Sequence, residues 1–217
     1  MCGRFNLTAT PESIAQHFEL QRLPKFQQSY NITPAQKILC LVELEYKSLK
    51  SVNLFWGLVP SWSKDDKNSH HLINARAETV REKPSFRAAF HKRRCLIVAN
   101  GFYEWQKLES SKQAFHIHRQ DNDLFAFAGL WEHWDHGDHT LYSCTIITTE
   151  ASEVMQPIHE RMPVIISNEL YHEWLDKNAD DESAFQLLHN QAYKDMALTP
   201  VSDYVNNPRH NDERCLR

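Results

Sequence analysis

The sequence predicts an α+β fold, a single domain over residues 1–217 with a mainly antiparallel, barrel-like mixed sheet flanked by short helices. Two observations carry this reading. Runs of high β-propensity follow one another through the middle of the chain, while helical spacing is confined mostly to its flanks, so the elements do not alternate as a parallel βαβ sheet requires. The 217 residues, 41% hydrophobic and 24% charged, suffice for one ordinary core and show no repeat or low-complexity tract.

Thr10-Pro11 reads as a helix N-cap and first turn, and Ile14 with Phe18 supplies the spacing of four that lines one helix face. Residues 37–45 and 51–58 form a predicted hairpin joined through Tyr46 to Lys50, and Trp56 to Trp62 breaks regular structure. A helix is expected over Ser85 to His91, with Phe86 and Phe90 on one side. The strongest strand signal follows, Cys95 to Ala99, and Asn100-Gly101 turns the chain. Further strands fit 102–106, 114–118, 124–130, 141–148 and 162–166. Ser167 is expected to cap a helix carrying Leu170, Trp174 and Leu175, and Asp181 one carrying Phe185 and Leu188.

Composition excludes several classes. The apolar run Leu124 to Leu130 is far too short to cross a bilayer, and the first residues lack the pattern of a signal peptide, so a soluble cytoplasmic protein without membrane contact is expected. Five cysteines, at 2, 40, 95, 144 and 215, form no close pair and read as reduced thiols. His133, His136 and His139 lack a completing ligand at familiar spacing, so they read as a polar hairpin tip and no metal is expected. Among five glycines none builds GxGxxG, a P-loop or a GxSxG elbow, so no nucleotide cofactor is implied. The net charge is −4, yet Arg76, Arg81, Lys83, Arg87, Lys92, Arg93 and Arg94 face only Glu78 and Glu82 within one stretch. That stretch fits a phosphate track, or equally a charged helix face with its loop.

The opening Met1-Cys2-Gly3-Arg4 has its own chemistry. A small second residue suits methionine removal, which would leave an α-amine and a thiol on Cys2. An α-amine with a pKa of roughly 7.7–8.0 can condense with an aldehyde near neutrality. The thiolate can then close on the imine carbon to give a thiazolidine. A cysteine at position 2 can also be incidental. Gly3 permits close approach of a strand or ligand, and Arg4 brings a positive charge suited to a phosphate and able to favour the thiolate.

Read with this opening, further stretches resemble the SRAP family, the SOS-response-associated peptidase-like proteins that crosslink to abasic sites. They are MCGRF at 1–5, YNITPAQ at 30–36, WGLVPSW at 56–62, INARAET at 73–79, RRCLIVANGFYEW at 93–105, AGLW at 128–131, IHERMPVI at 158–165 and PVSDYVN at 200–206. Val98 departs from the family pattern, which has a proline at or near that position. The resemblance implies a monomer that acts on single-stranded DNA, or on junctions of single and double strands. In it Cys2 joins the ring-opened sugar of an abasic site and shields the lesion, and the N-terminus can process itself.

By the resemblance the active-site group is Cys2, Asn74, Glu104 and His159. His159, an imidazole, can give or take the proton that opens the cyclic sugar. Glu104, between Tyr103 and Trp105 in sequence, can carry protons to and from the Cys2 amine if those rings desolvate it, or can simply face water on a strand. Asn74 offers a donor and an acceptor without charge, or serves as a turn residue. Arg4, Arg76 and Arg161 are expected phosphate clamps. Trp62, with Pro60, is an expected stacking surface for bases flanking the lesion, and Trp56 and Trp131 are assigned to the core. Thr148 is expected to bond the DNA backbone or cap a short helix near Glu150. The main rival reading is an N-terminal-nucleophile amidohydrolase or peptidase whose Cys2 thiol attacks an amide, and the second is a non-catalytic DNA-binding module, for which the basic segment would suffice.

Overall fold

The computed structural model describes residues 2–43, 48–67, 71–137, 139–189 and 195–217. Its strands are β1 (Phe5–Leu7), β2 (Ser29–Ile32), β3 (Lys37–Glu43), β4 (Leu49–Trp56), β5 (Asn74–Arg76), β6 (Arg94–Ala99) and β7 (Gly101–Lys107), then β8 (Lys112–Arg119), β9 (Phe125–His136), β10 (His139–Glu150), β11 (Arg161–Pro163), β12 (Ile165–Ile166) and β13 (Met196–Val201). Its α-helices are α1 (Pro11–His17), α2 (Arg87–Lys92), α3 (Tyr171–Leu175) and α4 (Asp181–Leu187).

Strands β10, β4, β3, β6 and β9 pair in that order, and β9 pairs back to β10, so the sheet closes into a five-stranded barrel. Closure leaves the barrel strands no unpaired edge. The pairing is antiparallel except between β4 and β10, which makes the barrel mixed, as the sequence predicts. Short strands extend it, β11 and parallel β5 along β10, and β12 along β9. The wall is tight around Gly129, where an added Cβ would lie 2.8 Å from Ile97 Cδ1 and 2.9 Å from Cys95 Sγ.

A second sheet, antiparallel throughout, runs β13-β8-β7-β1-β2. It docks through β1. Alternation along Phe5-Asn6-Leu7 sends Phe5 edge-on against Trp56 and Phe127, with centroids 5.2 and 5.8 Å apart, and both sheets share one hydrophobic core.

Most predicted elements form, with instructive shifts. Thr10 caps α1, its side chain accepting from the Ser13 N–H. In the β3–β4 hairpin β3 is described to Glu43 and β4 from Leu49, and the end of the predicted strand at 44–45 and the Tyr46 end of the predicted turn fall outside the described residues. Asn100-Gly101 does turn the chain, but from the barrel into the second sheet, and β6 and β7 do not pair. Ser167 precedes a 3-10 turn, Asn168–Leu170, without a side-chain cap bond, so Leu170 lies ahead of α3. Asp180, not Asp181, caps α4, because its carboxylate reaches the Ser183 N–H at 2.9 Å. All five cysteines are free thiols.

Three cations of the basic stretch at 76–94 are engaged by the fold, while Arg76, Lys83, Arg87 and Lys92 stay exposed. Arg94 is buried and donates to the carbonyls of Phe90, Trp174 and Asp176. Arg93 pairs with Glu132 and Arg81 with Glu182, both at 2.6 Å, which favours the charged-face reading for these three over a phosphate track.

The Asn-Gly pair also positions β1. Asn100 Oδ1 accepts from the Thr8 and Ala9 N–H groups at 2.8 and 3.0 Å. Gly101 leaves room for His116, since a Cβ there would lie 2.1 Å from Nε2. That nitrogen donates to Asn6 Oδ1 at 2.9 Å. Burial, helped by neighbouring His118, pushes the His116 pKa down to about 3, so the ring folds in neutral. Its ordinary value is 6.5. Between those values the unfolded chain binds the proton and the folded one does not, so this contribution is whole above pH 6.5 and is lost as pH falls toward 3. The expected outcome is a urea midpoint that drops on acidification below pH 6.5, less steeply in His116→Gln. Equal slopes would remove His116 from the account. Gly101→Ala should cost about 1–3 kcal/mol from overpacking, measured in the same titrations.

Candidate active site

The residues that the sequence groups around Cys2 are carried by both sheets. Strand β1 pairs with β7 at Phe5 with Phe102 and Asn6 with Gly101, and the Tyr103 N–H continues the ladder to the Arg4 carbonyl at 2.9 Å. The next step of that register brings Gly3 alongside Glu104, so the start of the chain lies against the acidic residue of β7. Cys2 itself is fully buried. Burial, and then the charge of Glu104, push its thiol up to about 12, while the Arg4 backbone N–H pulls the other way. The Arg4 guanidinium, expected to favour the thiolate, is turned elsewhere.

Asn74 opens β5, which lies parallel to β10 with Asn74 opposite Ile146. Its Nδ2 donates to the Cys2 carbonyl at 2.9 Å, and its buried Oδ1 has no partner among the described residues. The turn reading of Asn74 is therefore replaced by a strand residue bonded to Cys2.

Strand alternation decides the surroundings of Glu104. Tyr103 and Trp105 project to the opposite face of β7, where they bond the Tyr30 carbonyl at 2.7 Å and Asn206 Oδ1 at 2.7 Å. Adjacency in sequence is thus not adjacency in space, and the two rings do not flank Glu104 as expected. The carboxylate is nonetheless buried rather than facing water. On the Glu104 face, Gln106 reaches the Pro157 carbonyl at 2.9 Å and holds the segment 151–160 across the strand. That segment carries His159, whose Nδ1 accepts from the Arg161 N–H at 2.9 Å.

The five expected DNA contacts separate into two groups. Trp62, 65% exposed, and exposed Arg76 project from the surface. Pro60 is buried, so it supplies no surface beside Trp62. Trp56 lies in the core, and Trp131 packs partly buried against it. Arg4 is half-buried and donates to Asn31 Oδ1 at 3.0 Å and to the Val205 and Asn206 carbonyls. Arg161, 8% exposed, is held by both oxygens of Glu78, at 2.6 and 3.0 Å, and by the Thr148 carbonyl at 2.8 Å. Thr148 is fully buried near the C-terminal end of β10. Its hydroxyl faces the Ala75 carbonyl, and turns rather than a helix follow Glu150, so both roles expected of it are corrected.

His136 and His139 pair across the β9–β10 hairpin end, and His136 stacks on Trp134 at 5.0 Å. Among the described residues, no group of three or more His, Cys, Asp or Glu is placed to hold a metal ion. No helix of the described residues is long and apolar enough to cross a membrane.

Sequence reasoning missed Glu78, Gln106 and Asn31. Asn31 is buried and donates from Nδ2 to the carbonyls of Val205, Asn207 and His210 while accepting from Arg4. The signal was available, since Asn31, Glu78 and the C-terminal stretch 200–206 all lie inside the quoted motifs.

The comparisons with known proteins extend this geometry. The family model described as SOS response associated peptidase (SRAP) matches residues 1–208. The chain belongs to this family. It is 43% identical over 222 residues to "Abasic site processing protein YoaM" of Bacillus subtilis, covering 100% of this chain and 97% of that one. It is 32% identical over 262 residues to "Abasic site processing protein HMCES" of Xenopus tropicalis, covering 100% of this chain and 78% of the relative. A crystal structure of a Bacteroides thetaiotaomicron protein, 23% identical, superimposes with a TM-score of 0.87 over 100% of this chain and 99% of that one, which establishes the shared fold.

The two groups of arginines should differ in stability measurements. Arg4→Met, which strands several carbonyls of the C-terminal segment, should lose at least ~2 kcal/mol in urea titrations. Arg76→Met should stay within about 0.5 kcal/mol of the parent.

Proposed function

We propose that this chain captures abasic sites in single-stranded DNA as a covalent adduct through the amine and thiol of Cys2, shielding the lesion. The observation that carries the reading is Cys2 itself, buried at the head of the chain, bonded through its carbonyl to Asn74 and lying close to the charge of Glu104. The names of the relatives, abasic site processing proteins, supply the substrate class.

Once Met1 is removed, the Cys2 amine adds to the C1′ aldehyde of the ring-opened sugar. The carbonyl oxygen leaves as water with both amine protons, giving an imine. The thiol then adds across the C=N bond, its sulfur bonding to carbon and its proton passing to nitrogen, and the thiazolidine closes. In this reading the amine attacks first, because ring closure by sulfur needs the imine carbon that the amine creates. Glu104 carries protons between amine, departing oxygen and thiol, and His159 assists opening of the sugar ring. Asn74 fixes the Cys2 carbonyl with one end of its amide and turns its unpartnered Oδ1 to the amine or a sugar hydroxyl.

Arg76 and Trp62 carry the outer DNA contact in this reading, the first to phosphate and the second by stacking on a flanking base. Arg4 and Arg161, with their guanidinium groups already bonded, act mainly as framework beneath the phosphates. Self-processing at the N-terminus would use the same thiol to expose the Cys2 amine.

The test is purified protein with single-stranded DNA bearing one abasic site. A heat-stable, slower-migrating adduct is expected, lost in Cys2→Ala while reversible binding persists. Release of ammonia from glutamine without an adduct would point instead to the amidohydrolase. His159→Ala should slow adduct formation about 10²-fold or more with affinity nearly intact. For Arg76→Ala the salt slope of binding should become shallower by about 0.7, and an unchanged slope would take Arg76 out of the phosphate set.

A further inference from the structure

Segment 74–78 places three alternate residues at three different tasks. Asn74 holds the Cys2 carbonyl, Arg76 is exposed, and Glu78, in the 3-10 turn Ala77–Thr79 that follows β5, reaches Arg161. The Glu78–Arg161 contact is bidentate, at 2.6 and 3.0 Å, and the same guanidinium donates to the Thr148 carbonyl. Arg161 begins β11, paired with Glu150, and its backbone N–H donates to His159 Nδ1 at 2.9 Å. A ring nitrogen that accepts carries no hydrogen, so the neutral imidazole holds its proton on Nε2.

We propose that Glu78 is a positioning residue: by pinning Arg161 it fixes His159 as an Nε2–H donor, and it withdraws the Arg161 charge from the DNA. The inference deepens the abasic-site reading and rests on it for the substrate. A donor at Nε2 suits an oxygen of the sugar, either the ring oxygen or the hydroxyl beside it, as negative charge gathers there during opening.

The physical case lies in what Arg161 would do alone. A guanidinium that is 8% exposed and loses a bidentate carboxylate becomes a buried, unpaired cation, which is strongly unfavourable. Its Nε already has no partner among the described residues. The side chain would swing toward solvent or a phosphate and shift the first residue of β11, and with it the N–H that holds His159. Burial works against ionisation of Glu78, yet the hydrogen bonds and charge of Arg161, with the charge of Arg76, hold its carboxyl below the usual range, so the pin is anionic at neutral pH.

The experiment compares the full chain, with Met1 removed, as wild type, Glu78→Gln and Glu78→Asp. Imidazole nitrogen NMR without DNA should show His159 as the Nε2–H tautomer in wild type and as a tautomer mixture in Glu78→Gln. Reversible binding to an abasic-free single-stranded oligonucleotide should strengthen in Glu78→Gln, its salt slope steepening by about 0.7 as one more cation becomes available. Single-turnover adduct formation at saturating abasic oligonucleotide should fall about tenfold or more. Glu78→Asp, which keeps the charge, should recover part of both rate and tautomer.

Binding and chemistry moving in opposite directions is the signature of positioning. Wild-type rate and tautomer in Glu78→Gln would overturn the proposal, as would a fall in binding, rate and thermal stability together. A wild-type chain that forms no adduct would sink the abasic-site reading, while the tautomer and salt slope would still judge Glu78.

Discussion

The structure depends on the insertion of β1 between two strands of a sheet, β7 and the edge strand β2. Terminal residues ordinarily fray, because few contacts hold them. Here β1 runs between β7 and β2, and three separate devices lock its register. Arg4 is tied to the C-terminal segment, Asn6 to His116, and the exit at Thr8 and Ala9 to Asn100. Phe5 meanwhile sits edge-on to Trp56 and Phe127 in the shared core. Cys2, at the head of a strand so held, has lost most of its conformational freedom, and on the abasic-site reading a group fixed in a reactive pose replaces much of the entropy cost of a bimolecular step.

The same logic organises what faces Cys2. The segment after β4 returns as β5 along β10 and delivers Asn74 to the Cys2 carbonyl, with Glu78 in the 3-10 turn that follows, while β7 delivers Glu104 and Gln106 on one face. Neither sheet could build the site alone. The barrel contributes β5, and β10 with its following segment, and the second sheet contributes β1 and β7. Phe5 makes their docking a matter of core packing rather than of loop contacts, so relative movement of the two halves would disturb the centre of the molecule first.

Much of this was legible in the sequence. Cys95 to Ala99 reads as the strongest strand signal and lies in the fully buried β6, and the long strands β9 and β10 need only extension toward the hairpin end. The three-residue strands β1 and β5 are too short for any periodicity to register, and β13, which contains Pro200, argues against itself by strand rules. Cys2, Asn74, Glu104 and His159 could be named from motifs, but their surroundings could not. Tyr103 and Trp105 adjoin Glu104 in the chain and yet face away from it. A sequence shows which side chains are cationic, not which cations are already partnered. Arg161 and Arg94 look like phosphate ligands until Glu78 and the carbonyls around Arg94 are seen to hold them.

That distribution of charge bears on how such a chain would treat DNA. With a net charge of −4, acidic residues outnumber cations, and part of the cation set is already committed: Arg81, Arg93, Arg119, Arg161, Arg214 and Arg217 each pair with a carboxylate. Reversible affinity for a polyanion scales with the number of phosphates neutralised, and a surface presenting few uncommitted cations near its site holds DNA weakly and releases it readily with salt. Weak reversible binding is a defect in a protein that must stay on its target by charge alone. It is a virtue in one that samples many intact nucleotides and becomes retained only where a carbonyl is present, because residence is then set by a covalent bond that undamaged DNA cannot form. On the abasic-site reading, selectivity therefore resides in the chemistry of Cys2, and the pairing of Arg161 with Glu78 serves that selectivity by keeping the electrostatic hold small.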